Sequence, residues 1–158
     1  MARPLHPIVL GGLLVGILDI AAAFAVHGLY AGVPPRSILQ AIASGLLGRE
    51  AFRGGAATAA LGLALHFVIA FAVVATYYLL SRRWHVLVRR AVPCGLAYGV
   101  AVYLVMNRVV LPLSRVTTRP SPWVIIAVMI VVHMVCVGLP TALVVRRGER
   151  RHASAALG

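Results

Sequence analysis

An all-α integral-membrane four-helix bundle, with one short amphipathic interfacial helix between its first two spans, is the fold class this sequence predicts. Three observations carry that expectation. Hydrophobic residues make up 61% of the chain and charged ones only 11%, with a mean hydropathy of +0.97, which is far from the balance of a soluble domain. The apolar residues fall into four blocks, 8–30, 57–80, 91–113 and 122–145, each long enough to cross a hydrocarbon core of about 30 Å at about 1.5 Å per residue. Finally, every arginine but Arg108 lies at or beyond a block end. The whole of 1–158 is then a single transmembrane domain.

The formal charge of +12 would suggest nucleic acid in a soluble protein. Here its distribution is a topology signal instead. Arg3, Arg82, Arg83, Arg89, Arg90, Arg146, Arg147, Arg150 and Arg151 fall on one side of the four spans, and Arg36, Arg49, Arg53, Arg115 and Arg119 on the other, where Glu50 dilutes them. The positive-inside rule places the first set, and both termini, in the cytoplasm. Lipid is the expected partner, a homo-oligomer is compatible with so small a bundle, and nucleic acid is not expected.

Block one is centred on Asp19. An aspartate there costs roughly 2.5 to 3.5 kcal/mol to insert, and each flanking Leu, Ile, Val or Phe returns about 0.3 to 0.6. The block therefore inserts, but its carboxyl group needs cover from other helices. Ala21, Ala22 and Ala23 resemble a signal-peptidase site; the apolar run continues through Phe24 and Val26, so an uncleaved helix is expected. Gly12 and Gly16 form a GxxxG face on which another helix can approach.

Pro34 and Pro35 stop that helix. Ser37 is placed to cap a new one over about 37–47, with Ile38, Leu39, Ile42 and Leu46 recurring at helical spacing against Gln40 and Ser44. This segment reads as an interfacial helix or a fold over the bundle mouth. Block two aligns Gly62, His66, Ala70, Val73 and Tyr77 on one stripe, with Tyr77 and Tyr78 expected near the inner interface. Loop 81–90 is short and basic, making blocks two and three a hairpin. In block three Pro93 belongs to the first turn, and Gly95, Gly99, Tyr103 and Asn107 climb one ridge. Ser121 and Pro122 suit the start of block four, Trp123 its outer interface, and Pro140 should kink it after His133. A basic tail, 146–158, follows. Blocks one and three share a GxxxG start, and blocks two and four a His, but apolar sequence produces such matches too easily to read a duplication from them.

The chemistry-bearing set is Asp19, His66, Asn107, Arg108 and His133, ionisable or hydrogen-bonding groups within apolar helices. One reading pairs Asp19 with Arg108 and leaves the histidines as interhelical hydrogen-bonding groups; the other makes the set a proton or solute pathway. A b-type haem would need His66 and His133 as its axial pair, although their depths along the blocks differ by about 4 to 5 Å at 1.5 Å per residue. Cys94 and Cys136 lack metal-ligand spacing and read as small core residues. GxSxG, HExxH, a Walker loop and GxGxxG after a strand are all missing. The chain is not expected to be an enzyme or to carry a cofactor or metal.

The stretch PPRSILQAIASGLLGREAFRGGAATAALGLALHF, Pro34 to Phe67, resembles the small four-helix bacterial inner-membrane proteins loosely grouped as YagU-like, a domain of unknown function. What the resemblance implies is a bacterial plasma-membrane location; it carries over no site residues. The functional expectation is an integral plasma-membrane protein in a structural or accessory role. Proton-linked transport through Asp19, His66, Arg108 and His133 is the alternative, and a haem electron carrier the second.

Overall fold

A computed structural model describes residues 5–117 and 121–155 of the chain. Among them there is no strand, and four helices are long and apolar enough to cross a membrane: Pro7–Ala31, Gly55–Arg83, Ala91–Leu113 and Trp123–Arg150. They coincide with the four apolar blocks to within five residues at each end. We label the elements α1 (Leu5–Ala31), α2 (Pro35–Leu47), α3 (Gly55–Arg83), α4 (Val86–Arg89), α5 (Ala91–Leu113) and α6 (from Trp123, its last stretch Leu139–Ala155). The tail expected at 146–158 is largely helix: α6 runs on through Ala155, since Arg, Ala and Glu favour helix even where hydropathy falls. Residues 156–158 lie outside the described residues.

Helix α1 packs against α3 and the C-terminal part of α6, and α5 packs along α6. Pro7 at the start of α1 lies against Gly148 near the end of α6, so both ends of the chain share one end of the bundle, here the terminal end. There Tyr77, Tyr78, Ala91, Ala142 and Val145 form a buried cluster. Tyr77 and Tyr78 lie in this core, where α4 folds beneath them and the Tyr77 hydroxyl donates to the Leu87 carbonyl (3.0 Å). Their neighbour Tyr98 sets its ring edge-on to Tyr77 at 4.9 Å and donates to Val73 O.

The two GxxxG pairs do different work. A Cβ on Gly99 would meet the backbone of His133 and Met134, and one on Gly138 the backbone of Gly95 and Gly99, so α5 and α6 cross backbone to backbone. Gly12 and Gly16 instead seat the rings of Phe71 and Phe67 from α3. In both cases a missing side chain brings two helices together.

Two interruptions shape the bundle's other half. The backbone widens to a π turn over Met106–Val110 in α5 and over His133–Gly138 in α6. Each ends two residues before a proline, Pro112 and Pro140, whose ring cannot tolerate a regular α turn at the carbonyl four residues earlier and has no N–H to offer it. The kink expected at Pro140 takes this form, and Pro112 produces a second that the sequence reading did not anticipate. Neither expected serine cap forms: Pro34 and Pro122 occupy the N-cap positions of α2 and α6, without a side-chain cap bond, their ring-fixed φ already suiting the turn into helix.

Helix α2 packs against the start of α3. Gly62 leaves room for the Leu39 carbonyl, and Gln40 Nε2 donates to Gly55 O (3.0 Å) and lies 3.3 Å from Thr58 Oγ1. The polar stripe of this amphipathic helix is thus turned into protein: Gln40 and Ser44 are each only 4% exposed. Its end is tied across the bundle by the Arg115 N–H donating to Gly45 O (3.0 Å).

Candidate functional site

Below α2 lies a cavity of about 640 Å³. Ile38, Ala41, Ile42 and Leu46 of α2 form its roof. Its floor is a buried layer made by Val15 of α1, Ala70 and Val74 of α3 and Val137 of α6, with Val73 and Val102 packed against it. Beneath that layer come the tyrosines, so the space is closed toward the terminal end.

Three of the polar residues singled out in the sequence line this cavity together: Asp19, His66 and His133. Helical spacing explains why. Asp19 is four residues after Val15, His66 four before Ala70, and His133 four before Val137. On helices of alternating direction each step rises one turn, about 5.4 Å, from the floor toward α2. The three therefore lie about one turn above the apolar layer, on the side facing α2. Met106, one turn above Val102 and at the start of a π turn, is the contribution of α5 to this level.

The hydrogen-bond pattern fixes what each group presents. His66 Nε2 lies 2.9 Å from Gly16 O and His133 Nδ1 lies 2.8 Å from Met129 O. A carbonyl only accepts, so each imidazole has its proton on that nitrogen, and in the neutral ring the other nitrogen, Nδ1 of His66 and Nε2 of His133, is a bare acceptor. His133 is also braced by the edge of Tyr103, ring centroids 5.3 Å apart. Asp19 accepts no hydrogen bond: its Oδ1 is buried without a partner, and among the described residues it forms no ion pair, although the Cys136 thiol lies within reach of its charge. Thr141 Oγ1 is also unpartnered, but a helical hydroxyl can rotate onto its own backbone, a remedy not open to a carboxylate.

Asn107 and Arg108 do not join this group. Asn107 turns its amide back to Tyr103 O (2.9 Å), and Arg108 is exposed and absent from the cavity lining. The expected Asp19–Arg108 pair is not formed: Arg108 is an exposed residue of the α5 π turn, two positions beyond the cavity-lining Met106 and so on another face. The ion pairs at Arg53–Glu50 (3.1 Å, exposed) and Arg82–Glu149 (4.0 Å) lie outside the cavity. His27, which the sequence reading passed over, lines the cavity two turns above Asp19; the i, i+4, i+8 ridge Asp19, Ala23, His27 is the signal that would have found it.

No protein-family model matches the chain, and neither the curated proteins nor the solved structures contain a match to it.

The geometry also bears on metals and haem. Among the described residues no three His, Cys, Asp or Glu side chains cluster as a metal site would need. Cys94 and Cys136 are free and partly buried. With His66 Nε2 bonded to Gly16 O of α1, that nitrogen could serve as an axial haem ligand only by giving up the interhelical bond.

Proposed function

We propose that this chain is a multi-pass bacterial plasma-membrane protein, both termini cytoplasmic, that binds a small and largely apolar solute beneath α2 and couples its movement to protons. A carboxyl group without a protein partner, in a cavity of ligand size, carries this reading. Small-molecule sites commonly occupy about 300 to 1,000 Å³, mostly apolar with few polar groups, and an intramembrane acid left unpaired is costly unless something it binds repays it. The plainer expectation, a structural or accessory role, supplies no use for either feature. Asp19 and the two histidines are groups able to exchange protons as the solute comes and goes.

Under the positive-inside assignment the cavity faces outward, with α2 in the outer interface as its cover. Movement of a solute then requires the floor at Val15, Ala70 and Val137 to part. The two π turns, one containing Val137 and the other beginning at Met106, supply joints near that level, as such turns do at functional sites. The reading requires a lipid bilayer around exposed residues such as Ile17, Val68 and Val131 and is compatible with a homo-oligomer; it calls on no nucleic acid or cofactor.

Purified protein in liposomes with an internal pH dye tests it. Proton flux above that of empty liposomes, lost in Asp19→Asn while the variant remains folded, is the expected result; flux no greater than in empty liposomes removes the transport reading. Reporter fusions at Arg90 and Gly158 test the orientation, and a periplasmic signal from either would reverse it.

A further inference from the structure

The polar level of the cavity consists of acceptors. Asp19 as a carboxylate offers two oxygens, and neither accepts a hydrogen bond from the described residues. His66 and His133 have given their single N–H to Gly16 O and Met129 O, leaving Nδ1 and Nε2 as lone pairs. No arginine lines the cavity, and at this level Asp19 would repel an anion. Nearer the roof, Ser114 has spent its own proton on Leu111 O (2.7 Å). Closer to α2 the lining also includes His27 and Ser37; most of the rest, with Ile38, Ile42, Leu65, Ile69 and Val110 among it, is hydrocarbon.

A ligand that satisfies this arrangement must bring the donors and the positive charge itself, on an apolar body. From this we infer that the cavity takes a primary ammonium compound, its –NH₃⁺ seated at Asp19 on the level that His66 and His133 also line, and its hydrocarbon body directed toward α2. The inference rests on the cavity being a solute site. An ammonium brings positive charge and three donors to a level whose free groups are acceptors. An alcohol brings one donor and no charge. A quaternary ammonium brings charge without donors and is held by aromatic cages, whereas Phe52 is the one carbocyclic aromatic ring in this lining.

The test uses the full chain in lipid nanodiscs, with empty nanodiscs as the partition blank, and four probes on one body: cyclohexylmethylamine, its N-trimethyl derivative, cyclohexylmethanol and cyclohexanecarboxylate. Titration calorimetry should show saturable one-to-one binding of the amine, with the alcohol and the trimethyl compound weaker by about tenfold or more, the usual scale for losing hydrogen bonds to a charged group. The carboxylate should not bind. Asp19→Asn should weaken the amine by a similar factor and leave the alcohol unchanged, while Asp19→Glu keeps the preference for amine. Equal binding of amine and alcohol, or amine binding indifferent to Asp19→Asn, overturns the ammonium inference and leaves the solute site standing. Failure of all four probes, or binding that Ala41→Trp at the cavity roof does not block, overturns the site itself. Should Asp19→Asn not fold, the ratio of amine to alcohol in the unmodified protein decides alone.

Discussion

His66 Nε2 lies 2.9 Å from the carbonyl oxygen of Gly16, joining α3 to α1 within a turn of Asp19. Gly16 has no side chain to shield its carbonyl, and the Phe67 ring fills the space a Cβ would take; the bond and the ring therefore dock on the same bare strip of α1. Replacing His66 with Phe removes the N–H while keeping bulk. Interhelical hydrogen bonds in membranes average about 0.6 kcal/mol and reach about 1.7, and His66→Phe is expected to lower stability within that range in a steric-trapping measurement. An unchanged stability would mean the bond does not hold the helices together.

Asp19 and Arg108 are expected to behave independently. With the carboxyl unpartnered and the guanidinium exposed, Asp19→Asn should leave stability unchanged or raise it, because it removes an uncompensated charge. Arg108→Gln should change it little. The double variant should equal the sum of the two within about 0.5 kcal/mol, the margin for sites that do not interact. A larger coupling in thermal unfolding of the four proteins would restore the ion pair that the sequence suggested.

That pair shows where sequence reading stops. Span positions were legible because twenty-odd apolar residues in a row have few alternative fates, and the shared level of Asp19, His66 and His133 follows from helical spacing once the floor residues are known. Which residue forms the floor was not legible, since Val, Ala and Leu repeat throughout and any could lie inside. Arg108 went the other way because its placement depends on the π turn before Pro112, which changes which face each residue presents. The polar side of α2 was readable as a stripe; that Gln40 faces α3 rather than water depends on Gly55 and Thr58, far enough away in sequence to leave no local sign, while Ser44 is buried with its hydroxyl on Ala41 O of its own helix.

Gly138 is expected to be the least tolerant glycine of α6. An added Cβ would press into the backbone of Gly95 and Gly99, which cannot yield as a side-chain end can. Forcing a methyl group into a packed interface costs about 1 to 3 kcal/mol. Gly28→Ala is the control, its nearest neighbour being a carbonyl oxygen 3.8 Å away. Gly138→Ala should lower the unfolding midpoint clearly and Gly28→Ala should not. Equal effects would show that α5 and α6 are not in backbone contact.

Pro140 is expected to set the position of His133. Its ring excludes a regular turn at the Cys136 carbonyl, and the chain responds with the wide turn His133–Gly138, which holds one residue more than an α turn. Alanine at 140 restores the N–H and lets the turn close. Everything before it in α6 must then rotate by about one residue, roughly 100°, relative to Leu139–Ala155. His133 would leave the cavity and the edge of Tyr103, now 5.3 Å away. NMR of protein labelled in the histidine rings reads this directly: the ring shifts of His133 that depend on Tyr103 should collapse in Pro140→Ala. In Pro112→Ala, which relaxes only the turn in α5, they should persist. If His133 keeps its shifts in Pro140→Ala, the wide turn is held by the packing of Gly138 on Gly95 and Gly99, and the proline is not what positions the histidine.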